Sequence, residues 1–303
     1  MRSRVKNKAA AAETPAEAAP CAPAETDVPV TLILHEGQDA SALLAALPAG
    51  SEVMPPAGGD GAPALAREDL HLCTQSAPKG RYVLFAGAGE WHPAAAEDLC
   101  KCLPEREEEL ILFPSAAAKQ RGEARCTFLS ALPHEKFADG FAPRRFGCAL
   151  SQALYARVAP YFGGLPAEFA AVWLGSVFCQ SAAVAEGRFF LQTEKPADPP
   201  SVQALTEAFN ACKGQLSAAR YRFAFDYACA RVVYAFAELA NAGDAQGAAA
   251  LDEYLRGENM ALRVAAEDRA PLRFLTLLKK RGFCTTLPAR PGILLALAEG
   301  RRR

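Results

Sequence analysis

The chain has 303 residues, of which 51% are hydrophobic and 22% are charged. This is enough apolar material to bury one large core or two modest ones. The formal net charge of -1 argues against a dedicated nucleic-acid-binding protein, because neutralising phosphates requires a basic surface. No run of 18 or more apolar residues occurs in the sequence, so we expect no membrane-spanning helix.

The first 27 residues are rich in Ala, Pro and Glu without periodicity. Such a composition predicts a disordered N-terminal arm. Residues 1–8 are basic and 9–12 are apolar, but Glu13 and Glu17 follow at once. The apolar run is therefore too short for a signal peptide.

From residue 28 to residue 129, apolar runs of strand length alternate with helical patterns. The pattern predicts strands at 28–34, 51–54, 81–85, 110–113 and 126–129, and helices at 39–47, 64–72 and 93–103. The clearest strand follows the turn Pro78-Lys79-Gly80, which is typical of a chain reversal. This alternation predicts an α/β fold with a mostly parallel sheet.

The pattern becomes helical after residue 145. We predict helices at 151–158 and 167–180, a strand at 188–192, a linker at 196–200, and helices at 201–215, 217–240, 245–256 and 269–281. Ser201 is a good N-cap for the first helix after the linker. The predicted organisation is thus an arm (1–27), an α/β domain (28–195) and a helical C-terminal region (196–303).

The ten cysteines are scattered along the chain. Cys100 and Cys102 are close in sequence, but zinc sites normally need a second close pair of ligands. The four histidines, His35, His71, His92 and His134, add no cluster. We therefore expect reduced cysteines that pack as small apolar groups in a cytoplasmic protein.

Residues 80–91 read GRYVLFAGAGEW and resemble a segment of the family 2 glycosyltransferases. In that family, a strand ends in an Asp-x-Asp motif, and a tryptophan and a helix follow. Tyr82–Phe85 matches the strand, Trp91 matches the tryptophan, and residues 93–103 match the helix.

Other segments match the same family in the same order. Residues 29–34 and the leucines at 43, 44 and 47 resemble its opening strand and helix. Residues 147–158 resemble the segment ahead of its acceptor site. Residues 164–169 (GLPAEF), with a helix running to 185 and a strand at 188–192, resemble its Glu-Asp segment and the strand after it.

The resemblance covers residues 28–195 and implies a GT-A-like (Rossmann-like) mostly parallel sheet with a helical C-terminal appendage. It also implies an activity: transfer of a sugar from a nucleotide-sugar donor to a glycan or lipid-linked acceptor in surface polysaccharide assembly. Such a protein is expected in the cytoplasm or peripherally at the inner face of the membrane.

The residues expected to hold a metal are not acidic in this chain. A GT-A enzyme usually neutralises its diphosphate leaving group with Mg²⁺ or Mn²⁺ held by carboxylates. Gly87 and Gly89 stand at the Asp-x-Asp positions and offer no side-chain oxygen. Glu90 is the remaining carboxylate beside the strand end. It contacts the metal if the loop is shifted by one residue; the alternative, which we favour, is a solvated loop glutamate.

The catalytic base is also replaced. Inverting transfer needs a group that takes the proton of the acceptor hydroxyl, and the aspartate that does so in the family corresponds to Phe169. Glu168, its neighbour, substitutes if the helix turns differently. The alternative is a helix-start glutamate that faces water and is stabilised by the helix dipole.

For nucleotide recognition, the resemblance points to His35 and Asp60. Asp60 lies in the Pro/Gly loop after the second strand, where it contacts the base or ribose or is simply a turn residue. His35 and Gln38 replace the family's Pro and Asn after the first strand. The glycine-rich stretches at 58–61 and 87–89 suggest a phosphate cradle of backbone N–H groups, but no P-loop or dinucleotide motif supports it.

The joint loss of these acids leaves two hypotheses. One is a family 2-type glycosyltransferase with a degenerate metal site, in which Glu90, Glu168 and Asp60 carry the chemistry. The other is a non-catalytic GT-A scaffold that binds a partner, such as an active glycosyltransferase. An unrelated α/β protein would show a different strand order.

The C-terminal segment 272–281 combines leucines and Phe274 with basic residues such as Arg273, Lys279, Lys280 and Arg281. This pattern is typical of an amphipathic helix that lies on anionic lipid or against a protein partner. The alternative is a packed helix with a solvated cationic end.

Overall fold

The structure is a computed structural model, and it describes residues 27–34, 40–55, 67–73, 77–86, 89–116, 127–129, 146–186, 189–191, 201–242 and 244–268. Ten strands lie within these segments. They are β1 (Val30–Ile33), β2 (Glu52–Met54), β3 (His71–Leu72), β4 (Tyr82–Phe85), β5 (Glu90–Trp91), β6 (Leu110–Ala116), β7 (Thr127–Leu129), β8 (Phe146–Ser151), β9 (Ala182–Glu186) and β10 (Phe190–Leu191).

Eight α-helices lie in the same segments. They are α1 (Ser41–Ala46), α2 (Pro93–Cys102), α3 (Gln152–Val158), α4 (Ala167–Phe178), α5 (Val202–Cys212), α6 (Ala218–Ala242), α7 (Ala245–Glu258) and α8 (Met260–Asp268). Short 3-10 turns extend three of them, at Leu103–Glu105, Ala159–Tyr161 and Lys213–Gln215.

The strands form one mixed sheet in the order β3-β2-β1-β4-β8-β6, with β9 and β10 along the far side of β6, β7 on β9 and β5 on β10. β1 to β4 are mutually parallel, and β8 runs antiparallel to both β4 and β6. The carboxyl ends of β1, β2, β3, β4 and β6 therefore lie along one edge, which we call the carboxyl edge. The predicted mostly parallel sheet is confirmed.

Each face of the sheet carries its own core. Alternate side chains of a strand point to opposite faces, so Leu84 packs in the cluster beneath α1 and α2, whereas Val83 and Phe85 pack in the cluster that contains α3, α4 and α5. Burial on both faces explains why the central strands read as continuous apolar runs.

The helical C-terminal region packs on the second face. Arg220 of α6 donates hydrogen bonds to the carbonyl oxygens of Phe178 (3.0 Å) and Cys179 (3.1 Å), which joins α6 to the end of α4. The buried Asp252 carboxylate pairs with Arg256 at 2.7 Å and Arg263 at 2.5 Å and so joins α7 to α8. The predicted N-cap is confirmed: the Ser201 hydroxyl accepts from the Ala204 N–H at 3.0 Å.

The prediction of a helix at 64–72 is wrong in its described part. His71–Leu72 is strand β3, held at the edge of the sheet by backbone hydrogen bonds from His71 to the Ser51 carbonyl (3.0 Å) and from Cys73 to the Val53 carbonyl (2.8 Å). Pairing with β2 outweighs the local helical pattern, since tertiary contacts routinely override helix propensity.

Three further strands, β5, β8 and β9, were not predicted. Phe146–Ser151 forms β8 in the centre of the sheet, where the sequence indicated only the start of a helix. The helix predicted at 167–180, and extended to 185 by the family resemblance, ends at Phe178, and Ala182–Glu186 forms β9. An alanine-rich segment has helix propensity, but parallel pairing with β6 determines its conformation.

Several predictions fall partly or wholly outside the described residues, including the arm up to residue 26 and the helix at 269–281. The helix at Met260–Asp268 was not predicted. Among the described helices, none combines the length and apolar character needed to cross a membrane.

The seven described cysteines are free thiols, and all but Cys102 are buried, which confirms apolar packing for these positions.

Gly147 permits a close approach between β8 and its two neighbours. A Cβ at this position would lie 2.1 Å from the Phe113 ring and 2.8 Å from the Ala86 carbonyl oxygen. We predict that Gly147→Ala lowers the free energy of unfolding by about 1–3 kcal/mol, the usual cost of overpacking. Urea denaturation measures this. Gly257→Ala, where a Cβ meets nothing within 4 Å, is the control and should stabilise its helix slightly. If both variants changed the free energy of unfolding equally, Gly147 would not be required for the close approach of the strands.

Candidate functional site

The carboxyl edge is the expected place for a ligand, because open α/β sheets bind ligands outside the carboxyl ends of their strands. Ile33, Met54, Leu72 and Phe85 end the four parallel strands there. β8 begins at the same edge, and its Cys148 pairs directly with Phe85.

The loop after β4 is closed by Trp91. The Trp91 indole N–H donates a 2.9 Å hydrogen bond to the carbonyl oxygen of Ala86, and the side chain is only 3% exposed. Its ring lies edge-on to Phe113 at 5.3 Å and stacks on Phe190 at 5.6 Å. β5 also pairs with β10, with Trp91 opposite Phe190. The tryptophan of the family resemblance thus holds both ends of the loop together.

Glu90 lies beside this closure and is exposed. Trp91 points inward, so Glu90 on the same strand points outward. Gly89 adopts a φ of 145°, which glycine accommodates readily; Gly87 lies outside the described residues. Within the described segments, no group of three His, Cys, Asp or Glu side chains is placed to hold a metal ion. This part of the chain therefore provides one carboxylate at the end of β4 and no preformed cation site.

Glu168 is the second residue of α4 and is half-buried. Burial raises the pKa of its carboxyl from an ordinary value of 4.5 to about 7. Burial also raises the pKa of the Cys148 thiol, and the nearby Glu168 charge raises it further. The two groups therefore lie within electrostatic range, which puts Glu168 near the junction of β4 and β8 at the carboxyl edge.

The alternative of a glutamate that simply faces water does not fit this position. A helix N-terminus favours the charged carboxylate, yet the pKa of Glu168 is raised. The desolvation that opposes ionisation is therefore the larger effect. Such shifts are common for catalytic acids and bases, although structural groups show them too.

Phe169 belongs to the core. It is 5% exposed, and its ring lies 6.2 Å from Trp173 and 6.0 Å from Tyr227 of α6. Ten of the twelve residues of α4 are buried, so the helix is held in one rotation about its axis. Glu168 is consequently the acidic side chain that α4 offers at this edge.

The two predicted nucleotide-binding residues, His35 and Asp60, lie outside the described residues. They follow β1 and β2 in sequence, and their roles stay predictions.

An aromatic group at the same edge was not predicted from the sequence. Phe85, Tyr155 and Phe162 contact one another with ring-centroid distances of 6.1–6.2 Å. Tyr155 and Phe162 stand seven positions apart in the sequence, but nothing in their neighbourhood along the chain indicated that they contact β4.

No protein-family model matches this chain, and no curated protein sequence is significantly similar to it. Solved structures are similar in fold. The S. aureus protein TarS (residues 1–349) matches with a TM-score of 0.50 and 10% identity, and its complex with UDP-GlcNAc gives the same values.

The TarS complex with UDP gives a TM-score of 0.53 and 11% identity. Each of the three matches covers 90% of this chain and 92% of TarS. TarS is a glycosyltransferase, and likeness at this identity shows the fold. The chain therefore has a GT-A-like fold with a helical C-terminal region.

Proposed function

We propose that this chain is a family 2-type glycosyltransferase that moves a sugar from a nucleotide-sugar donor to a glycan or lipid-linked acceptor, with Glu168 as the general base. The half-buried Glu168 carboxyl at the carboxyl edge carries the proposal. The family resemblance adds a setting in polysaccharide assembly, in the cytoplasm or at the inner membrane face.

The proposed chemistry is an in-line displacement. The acceptor hydroxyl oxygen forms a bond to the anomeric carbon of the donor, and the Glu168 carboxylate takes the hydroxyl proton. The bond from the anomeric carbon to the diphosphate breaks, and its electron pair leaves with the nucleoside diphosphate. A base with a pKa near 7 suits this step, because general catalysis is most efficient when the pKa lies near the operating pH.

In this proposal, Glu90 would be the residue that helps to hold a divalent cation when the donor is bound. Mg²⁺ is commonly bound by one or two carboxylates together with substrate phosphates. Glu90 is the carboxylate that the described residues offer, so we expect weak Mg²⁺ or Mn²⁺ binding to the free protein. The cation would neutralise charge on the diphosphate.

The second candidate function is a non-catalytic scaffold that binds a protein partner, such as an active glycosyltransferase. Two observations favour it: the single described carboxylate after β4, and the core residue Phe169 at the position of the family's base.

Calorimetric titration separates the two functions. UDP-GlcNAc, UDP-glucose and GDP-mannose are titrated with and without Mn²⁺; UDP-GlcNAc is included because TarS was crystallised with it. We expect micromolar binding of a UDP-sugar, strengthened by Mn²⁺, because the cation would neutralise charge on the diphosphate. Failure of every nucleotide sugar to bind supports the scaffold instead.

Glu90→Gln tests the cation contact within that experiment. The variant should lose the gain in affinity that Mn²⁺ gives and keep the affinity measured without it. Glu97→Gln is the matched control, since Glu97 is also exposed but pairs with Lys101 on α2. A Mn²⁺ gain that survives in Glu90→Gln would exclude Glu90 as the cation contact.

A further inference from the structure

The aromatic group at the carboxyl edge consists of Phe85, Tyr155 and Phe162. Phe85 ends β4 and is fully buried. Tyr155 stacks on it at 6.2 Å, and Phe162 meets it edge-on at the same distance. Tyr155 and Phe162 also meet edge-on at 6.1 Å. Each ring therefore contacts the other two, which limits their movement.

Tyr155 and Phe162 are only half-buried, whereas Phe85 is fully buried. No described residue forms a hydrogen bond with the Tyr155 hydroxyl. Burial raises the pKa of Tyr155, as does the nearby Cys73, so the hydroxyl keeps its proton and can donate. A tyrosine with a packed ring and a hydroxyl that no described residue engages is well suited to a ligand that has both apolar and polar groups.

Glu168 and these rings are anchored at the same point of the sheet. Phe85, which the two rings contact, pairs across the strands with Cys148, and the charge of Glu168 acts on Cys148. Phe85, Cys148, Tyr155 and Phe162 belong to the core on the α3 and α4 face, and Glu168 lies on α4 itself. Between Phe162 and Glu168 the chain runs through Gly163 and Gly164, both exposed. A Cβ added at Gly163 would meet nothing within 4 Å, so there is open space at this point of the segment.

We propose that Tyr155 and Phe162 form the acceptor-sugar subsite, and that the acceptor presents a pyranose ring, as a glycan does. The apolar C–H face of the sugar lies on the exposed parts of the two rings. The Tyr155 hydroxyl bonds to a hydroxyl of the same sugar, and another sugar hydroxyl points toward Glu168. This inference rests on the proposed function, because Glu168 has a use there as a base.

Tyr161 provides a comparison within the same segment. It is also half-buried and adjoins Phe162 in sequence. Its ring, however, stacks on Phe178 at 5.5 Å, and Phe178 is the last residue of α4, whereas Glu168 is near the first. A tyrosine at this position should make no contact with a sugar placed at the carboxyl edge.

The test measures disaccharide binding by saturation-transfer NMR, with UDP present at saturating concentration. Chitobiose, cellobiose and maltose are the probes, and UDP affinity is measured by calorimetry on the same samples. We expect at least one disaccharide to bind the wild-type protein. Phe162→Ala should weaken that binding about tenfold through loss of the ring surface. Tyr155→Phe should weaken it about fivefold, the effect of one neutral hydrogen bond.

The controls separate recognition from folding. Tyr161→Phe should bind the disaccharide as the wild type does, and UDP affinity should be the same in all variants. The thermal midpoint of each variant is recorded; if Phe162→Ala is unfolded, Phe162→Leu replaces it, because leucine keeps apolar packing without an aromatic face.

The possible outcomes are distinct. The inference is overturned if no disaccharide binds while UDP does, which would indicate an acceptor recognised through a lipid or another group. It is also overturned if Tyr155→Phe and Phe162→Ala bind as tightly as Tyr161→Phe. Absence of UDP binding to the wild type would instead contradict the proposed function, and the disaccharide titration would still report on the aromatic surface.

Discussion

Replacing Glu168 with glutamine is expected to lower kcat for sugar transfer by about 10²- to 10⁴-fold, the usual contribution of a general base. The amide keeps the size of the side chain but cannot accept the acceptor proton. Donor affinity should be unchanged, because the proposal gives Glu168 no contact with the nucleotide. Steady-state kinetics with UDP-GlcNAc, together with calorimetry, measure the two quantities.

The transfer rate and the stability of the wild-type protein should both depend on pH through the titration of Glu168. Because burial raises the pKa of Glu168 to about 7, the carboxylate form increases as the pH rises through 7, and the transfer rate should rise with it. The folded state also binds this proton more tightly than the unfolded chain does. Glu168 therefore makes stability decrease as the pH rises from about 4.5 to 7.

In Glu168→Gln, neither the rise in transfer rate nor the loss of stability with pH should occur. At pH 8 this variant should have a higher thermal midpoint than the wild type, because position 168 then carries no charge. Glu97→Gln, on the exposed face of α2, is the control and should keep the wild-type pH profile. A Glu168→Gln variant with full activity would rule out Glu168 as the base and leave the scaffold function as the better explanation.

Replacing Trp91 with alanine is expected to lower the free energy of unfolding by about 3–5 kcal/mol, the usual cost of truncating a buried large aromatic residue. Trp91 is 3% exposed and contacts Phe113, Phe189 and Phe190. The variant also leaves the Ala86 carbonyl without its indole donor. Urea denaturation followed by circular dichroism measures the change.

Trp91→Phe separates the contribution of ring packing from that of the indole hydrogen bond. It keeps an aromatic ring and removes the donor, so it should cost less than the alanine variant. If Trp91→Ala were destabilised by less than about 1 kcal/mol, Trp91 would not be the residue that closes the loop after β4. Donor binding by Trp91→Phe then shows whether that closure matters for the ligand.

Local patterns in the sequence were sufficient for most of the fold. The sequence correctly predicted the strands β1, β2, β4 and β6 and the helices α2, α5 and α6. In each of these elements, the spacing of the apolar residues within the element itself identifies a strand or a helix. β8 and β9 were missed because their conformation depends on pairing with β6, which lies tens of residues away in the chain. β3 was wrongly predicted as a helix because a strand of two residues at a sheet edge is too short to show a pattern of its own.

By itself, the sequence determined which side chains are available for chemistry. Glycine at position 89 and phenylalanine at position 169 cannot supply a carboxylate in any fold, so the absence of an acid at these two positions was visible from the start. The tertiary structure decided the surroundings of the remaining groups. It buried Glu168 at the carboxyl edge and raised its pKa, left Glu90 in solvent, and brought Tyr155 and Phe162 against the end of β4. These properties depend on desolvation and on contacts between distant segments, which no local pattern of residues encodes.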